Sequence, residues 1–275
     1  MYRRALTIQD ISCVGQCSLT VALPIMSACG VETAILPSAV LSTHTAGFTG
    51  FTVRDLADDI PAISAHWQKE GLDFAAVYTG YLGSVPQIDM VLEIMDHCLQ
   101  EGGLRIVDPA MGDNGRLYPA FDMEYVEAMK RLVGAADYTL PNITEAAFLT
   151  GMEYRESYDQ AYVKALIDAL QALGAKNVII TGASFSPDTT GVMVRENGTD
   201  TYYEHRKISE SRHGTGDIYS SAFAGALIRG KSAYEAAVIA ADFTVAALEE
   251  TLKGEPHLYG AKFELVIPKL IEMLK

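Results

Sequence analysis

The stretch "HGTGDIYSSAFAGALIRGKS", residues 213–232, carries two phosphate-binding signals. "GTGD", Gly214–Asp217, looks like a glycine turn opening a helix. "GALIRGKS", Gly225–Ser232, fits the P-loop pattern G-x-x-x-x-G-K-[ST] to the letter. Context separates them. A P-loop needs a strand feeding a glycine-rich loop that opens a helix, so that backbone N–H groups converge on phosphate. The residues before Gly225 are helical instead. Ile218, Ala222, Phe223, Ala226 and Leu227 fall near one face at i, i+4, i+5, i+8 and i+9. Gly230 then reads as the left-handed residue that closes this helix. Ser232 with Glu235 reads as a capping box opening the next one. Every letter of the P-loop match has a local structural explanation. In "GTGD", Gly214 and Gly216 permit backbone turns that a side chain would block. The helix behind them offers unsatisfied N–H groups and a positive dipole end to an anion. Asp217 taken alone is also an ordinary helix-start carboxylate, so its role depends on its companions along the chain.

The chain has 275 residues, 49% hydrophobic and 20% charged, which is ordinary for a globular protein. We expect one domain over residues 1–275, since no repeat, linker or composition break divides it. A net charge of -14 argues against a general nucleic-acid or anionic-membrane partner. It does not argue against binding one phosphate locally. No apolar run approaches a spanning helix, and the N-terminus lacks a convincing signal peptide. Cys13, Cys17, Cys29 and Cys98 lack zinc-type spacing. They read as reduced, mostly structural thiols of a cytoplasmic protein. Asn197-Gly198-Thr199 then reads as a turn, not a glycosylation site.

Strand and helix patterns alternate. Strands are expected at 5–9, 33–37, 74–80, 104–109, 137–141 and 177–182, and helices at 18–30, 53–71, 86–101, 122–133 and 159–173. The segments 191–196 and 201–207, joined by "NGTD", predict an antiparallel hairpin at one end of the sheet. Residues 216–274 read as almost wholly helical. The alternation implies a mainly parallel sheet with helices on both faces. Ligands of such sheets bind at the carboxyl ends of the strands. That directs attention to Gln9-Asp10, Gly80-Tyr81, Asp108-Pro109, Pro141-Asn142 and Thr181-Gly182.

Further motifs stand in order along the chain: "IQD" (8–10), "STHTAGFTG" (42–50), "TGYLGS" (79–84), "VDPAMGDNGRLY" (107–118), "LPNITEAAFLTG" (140–151) and "RHGTGD" (212–217). Together, from about residue 5 to about residue 252, they resemble the pyridoxal kinase branch of the ribokinase-like small-molecule kinases. The resemblance implies a three-layer α/β/α fold with a small flap, and a homodimer. It also implies phosphorylation of the 5′-hydroxymethyl of vitamin B6 vitamers with ATP and Mg²⁺, and leaves open a monovalent cation such as K⁺.

By that resemblance Asp217 is the catalytic base, which takes the acceptor hydroxyl's proton. The N–H groups of Gly214, Thr215 and Gly216 face the transferring phosphoryl. Asp108 and Glu145 match the residues that hold Mg²⁺, a hard ion suited to carboxylate and phosphate oxygens. Asn142 caps its helix and helps order that site. Thr181, Gly182, Arg212 and Thr215 line the ATP groove. Asp10, Thr45, His44 and Tyr81 lie on the vitamer side, where His44 reads equally well as a loop-packing histidine. "TAGFTGF" (45–51) would form a flap that excludes water.

Three positions depart from the family pattern. Asp10 stands where serine is common, which would favour the cationic pyridoxamine. Thr181 stands where several relatives have a lysine near the phosphates. "CVGQCSL" (13–19) replaces the usual "YGxxGN". Three alternatives compete. A hydroxymethylpyrimidine (phosphate) kinase, of the sister branch, commonly has GTGC where this chain has GTGD. A sugar or nucleoside kinase matches "TGYLGS" and "DPAMGD" less well. A non-catalytic vitamer-binding protein would need neither a base nor a metal site.

Overall fold

The computed structural model describes residues 3–45, 47–208, 213–253 and 259–275. Strand β1 (Arg4–Ser12) leads through α1 (Leu19–Ala28) to β2 (Glu32–Leu41) and the short β3 (Val53–Asp55). Next come α2 (Ile60–Glu70), β4 (Phe74–Thr79), α3 (Val85–His97) and β5 (Leu99–Val107). A small hairpin follows, β6 (Gly112–Asp113) with β7 (Arg116–Leu117), then α4 (Met123–Gly134), β8 (Tyr138–Thr139), α5 (Ile143–Thr150) and α6 (Gln160–Ala172). The chain continues through β9 (Asn177–Ser186), β10 (Thr189–Glu196), β11 (Thr199–Arg206), α7 (Thr215–Ile228) and α8 (Ala233–Leu252). A 3-10 turn at Phe263–Val266 and α9 (Ile267–Met273) complete it.

The large sheet runs β11-β10-β9-β8-β5-β4-β1-β2-β3. The pairs from β2 through β9 are parallel. β10 and β11 add antiparallel strands at one edge and β3 at the other. Side chains alternate across a strand, and neighbouring residues sort accordingly. Ala5, Ala76, Ile106 and Ile179 join α1, α7 and α8 in one apolar layer. Leu6, Val77, Val107 and Ile180 join α2 to α6 in the other. Strands buried on both faces must be apolar nearly throughout, and these runs are.

"GALIRGKS" is the end of one helix and the cap of the next. Gly230 has φ 99° and donates its N–H to Leu227 O, while the Lys231 N–H reaches Ala226 O. The Ser232 N–H donates to Glu235 Oε2 at 2.9 Å, and Ser232 Oγ accepts the Glu235 N–H at 3.3 Å. Gly225 serves packing: a Cβ there would lie 2.5 Å from Sγ of Cys29, the C-cap of α1. Lys231 stands beyond the far end of α7 from Gly214, roughly 20 Å away at 1.5 Å per helical residue.

The segment boundaries differ in places. Residues 53–55 are an edge strand on β2, so the helix expected from 53 starts at Ile60, after Asp59. The helix expected to reach 101 stops at His97, and β5 starts at Leu99. β9 runs past Gly182 to Ser186, with Gly182 at φ 68° in a bulge where the pairing with β10 shifts register. In the C-terminal stretch α8 ends at Leu252 and residues 259–262 are not helical; residues 254–258 lie outside the described residues. The hairpin is as expected, with Asn197 and Gly198 both at positive φ in its two-residue turn.

Gly225→Val should drive a branched side chain into Cys29, at a cost of about 1–3 kcal/mol. Lys231→Ala should leave the melting temperature unchanged. Thermal denaturation of both variants beside the parent protein checks this pair.

Candidate active site

The carboxyl ends of the parallel strands converge on the N-terminus of α7. β1 delivers Asp10, and its pairing register with β2 shifts between Gln9 and Ile11. Asp10 is buried and accepts hydrogen bonds from the Ser12 and Ser18 side chains. The turn after β4 brings Tyr81, whose ring lies against Phe121 at 5.1 Å. Burial raises the Tyr81 hydroxyl's pKa, and the Asp10 charge raises it further.

β5 ends at Asp108, buried, with Oδ2 accepting Ser220 Oγ–H from α7 at 2.6 Å. Glu145, on the first turn of α5, is 3% exposed and therefore not a helix-surface residue. Its Oε1 accepts the Met111 N–H at 3.1 Å and its Oε2 the Asn142 N–H at 2.9 Å. Asn142 caps α5 as expected, accepting the Glu145 N–H, and ties Gly112 O through its amide. Asp217 is half-buried in the first turn of α7 and accepts the Ser18 backbone N–H.

These carboxylates crowd one another. Burial chiefly, then the Asp108 charge, pushes the Asp217 carboxyl up to about 7; the Ser18 N–H opposes this and Asp10 adds to it. Burial likewise takes Asp108 to about 7, against the Ser220 hydrogen bond. Glu145 is raised well above the usual carboxylate range by burial and by Asp108. Asp10 is raised by burial. Among the described residues no lysine or arginine forms an ion pair with any of the four.

The donor set suits a small hard cation that carries its own phosphate ligands. No group of three or more acidic, histidine or cysteine side chains among the described residues could hold an ion unaided. Magnesium commonly takes one or two carboxylates and completes its shell with water and substrate phosphate. Asp108 keeps Oδ1 available for that. Glu145 already uses both oxygens on N–H groups, so it fits contact through water.

The glycine turn needs one correction. Gly214 does require glycine: φ is 77°, and a Cβ would fall on the Gln16 carbonyl oxygen. Gly216 does not, since it lies within α7 without positive φ and a Cβ would meet nothing within 4 Å. It leaves open space where a phosphoryl group could approach the helix start. Thr215 opens α7 between them. Thr181 and Gly182 lie farther along the same sheet edge, with the Thr181 N–H on Pro141 O. Arg212 lies outside the described residues. His44 is buried while Thr45 is exposed. The His44 ring packs on Phe48 and His213, and its Nε2 has no hydrogen-bond partner.

Two contributors were missed in the sequence. Ser220 lies three residues after Asp217, so one helix face carries both. Ser18 sits at φ 51°, ψ −128°, a sparsely populated conformation for a side-chain-bearing residue. It lies in the very run, 13–19, that departs from the family pattern.

The comparisons with known proteins agree with this architecture. The family described as phosphomethylpyrimidine kinase matches residues 23–260. The chain belongs to that family. It is a kinase with the ribokinase-like fold. A pyridoxal kinase of Dictyostelium discoideum is 31% identical over 247 residues, 83% of this chain and 80% of that protein. The crystal structure of a pyridoxal kinase from Lactobacillus plantarum is 33% identical, with a TM-score of 0.91 over 99% of this chain and 98% of that one. A Bacteroides thetaiotaomicron protein, provisionally assigned as a phosphomethylpyrimidine kinase and crystallised with pyridoxal, is 35% identical. Its TM-score is 0.92, over 98% of this chain and 96% of that one.

The crowding of carboxylates has a consequence for stability. Their folded pKa values lie above the ordinary ones, so the folded state binds protons more tightly than the unfolded chain. Stability without ligand should therefore fall as pH rises from about 4 to about 7. Asp108→Asn should raise the melting temperature at pH 8 by roughly 3–6 °C, at 2–4 °C per kcal/mol for a chain of this size. The gain should shrink at pH 5. Melts at both pH values, without nucleotide or divalent cation, check it.

Proposed function

We propose that this kinase transfers the γ-phosphoryl group of ATP to the 5′-hydroxymethyl of a vitamin B6 vitamer. The observation that carries the reading is the position of Asp217. It stands at a helix start left open by Gly216, and its carboxyl is raised to about 7 by burial and by the charges of Asp108 and Asp10. A base with a pKa near the working pH is well matched to accept a hydroxyl proton. The pyridoxal in the Bacteroides relative, and the pyridoxal kinases among the other relatives, support the acceptor class.

In this reading Asp217 takes the acceptor's proton as its oxygen attacks phosphorus. The N–H groups of Gly214, Thr215 and Gly216 stabilise charge on the transferring group. Asp108 would hold Mg²⁺ and Glu145 would hold it through water. When bound, the ion neutralises charge on the phosphate oxygens. Thr181, Gly182, Thr215 and Arg212 line the nucleotide groove. Asp10, His44, Thr45 and Tyr81 face the vitamer, and the flap excludes water. The protein would work as a single catalytic domain in a cytoplasmic homodimer. The second reading is a hydroxymethylpyrimidine (phosphate) kinase, favoured by the description of the matched family. Asp217 in place of that branch's usual cysteine weighs against it.

Incubation with Mg-ATP and pyridoxal, pyridoxamine, pyridoxine, hydroxymethylpyrimidine or simple sugars separates these readings. Turnover of hydroxymethylpyrimidine or a sugar and of no B6 vitamer would defeat the first. Asp217→Ala should lower kcat by about 10²–10⁴. Because the base must be deprotonated, wild-type kcat/KM should rise with pH through about 7.

Asp10 should favour the cationic aminomethyl of pyridoxamine. Asp10→Ser should then lower kcat/KM for pyridoxamine relative to pyridoxal. An unchanged ratio removes the assigned role.

A further inference from the structure

Beyond the glycine turn, the acidic cluster and the flap, one set of contacts has no part yet in the chemistry. It centres on Gln16 and Tyr259. The Gln16 N–H donates to Tyr259 O at 2.6 Å, and Gln16 Nε2 donates to Glu264 Oε1 at 2.5 Å. Gly260, at φ 125°, lies so close that a Cβ would stand 2.6 Å from Gln16 Cβ. On its other side, the Gln16 carbonyl is the group that excludes a side chain from Gly214. One residue thus joins the C-terminal segment to the turn at the start of α7.

The C-terminal segment is firmly seated. Ala261, Phe263 and Val266 are buried in the α1–α7–α8 layer, and the Lys262 N–H donates to Thr251 Oγ1 at 2.8 Å. Tyr259, by contrast, is 44% exposed and stacks on Phe48 of the flap, with centroids 5.7 Å apart and planes 17° from parallel. Phe48 stands between Gly47 and Gly50, both at positive φ with open space around them. Such glycines can absorb the backbone change of a hinge. The flap tip therefore rests on an anchored ring, and that ring's own backbone holds Gln16 against the phosphate turn.

We infer that Gln16 and Tyr259 are positioning residues: Tyr259 latches the flap through Phe48, and Gln16, bonded to the Tyr259 main chain, packs its carbonyl on Gly214. This rests on the vitamer-phosphorylating function proposed above. The flap then closes on the same segment that packs against the phosphate turn, which disfavours transfer to water.

The test compares Tyr259→Ala with Tyr259→Phe, which keeps the stacking ring. In Tyr259→Ala, amide hydrogen exchange at residues 47–50 should speed up without ligand, while exchange at Gly214 should stay as in the wild type, because the Gln16–Tyr259 bond is made by the main chain. The KM for the acceptor should rise about tenfold with the KM for ATP unchanged, as expected when a closing element is lost but nucleotide contacts remain. ATP hydrolysis without acceptor should rise relative to transfer. Tyr259→Phe should match the wild type in all of these. Unchanged exchange at residues 47–50 in Tyr259→Ala, or a Tyr259→Phe variant as impaired as the alanine one, overturns the inference. Should the wild type phosphorylate none of the B6 vitamers, the vitamer reading fails while the exchange comparison still decides the latch.

Discussion

Asp10, Asp108, Glu145 and Asp217 sit at one end of a parallel sheet without a basic partner among the described residues, and the site is organised around that imbalance. In a low-dielectric setting such charges repel strongly, so each is held by hydrogen bonds and none by an ion pair. Serines and backbone N–H groups do the holding: Ser220 on Asp108, Ser12 and Ser18 on Asp10, the Ser18 N–H on Asp217, and the Met111 and Asn142 N–H groups on Glu145. Neutral donors orient a carboxylate without cancelling its charge.

The scaffold makes the crowding tolerable by burying most apolar surface elsewhere. Two apolar layers flank the sheet, and the polar residues gather at its carboxyl edge. α7 belongs to both regions. From Ile218 onward its side chains are buried in one layer, while its first turn faces the acidic cluster. Gly225 lets it approach α1 closely, and α1 starts directly after Ser18. Packing between two helices thus sets where the Ser18 N–H meets Asp217.

The two phosphate-like motifs show why pattern alone misleads. "GALIRGKS" has every letter of a P-loop, yet each of its letters serves a helix terminus or a helix crossing. "GTGD" is shorter and less specific, but it stands where strand ends and a helix start converge. Only Gly214 of its two glycines is demanded by backbone geometry. Gly216 is open space, a distinction no spacing rule contains.

The sequence by itself determined the alternation of strands and helices, the cap at Ser232, the hairpin at Asn197-Gly198 and the placing of Asp108 at a strand end and of Glu145 and Asp217 in the first turns of helices. These follow from local periodicity, from capping chemistry, and from motifs whose order along the chain is as informative as their letters. It misjudged residues 53–55, where an edge strand forms because β2 offers open backbone groups, and the end of α3, where pairing with β4 claims Leu99. Tertiary structure alone decided that Glu145 is buried, that Ser220 and Ser18 hold the acids, and that Tyr259 meets Phe48. Each of those contacts joins residues from separate elements, and their distance follows from how the layers pack, which no local pattern records.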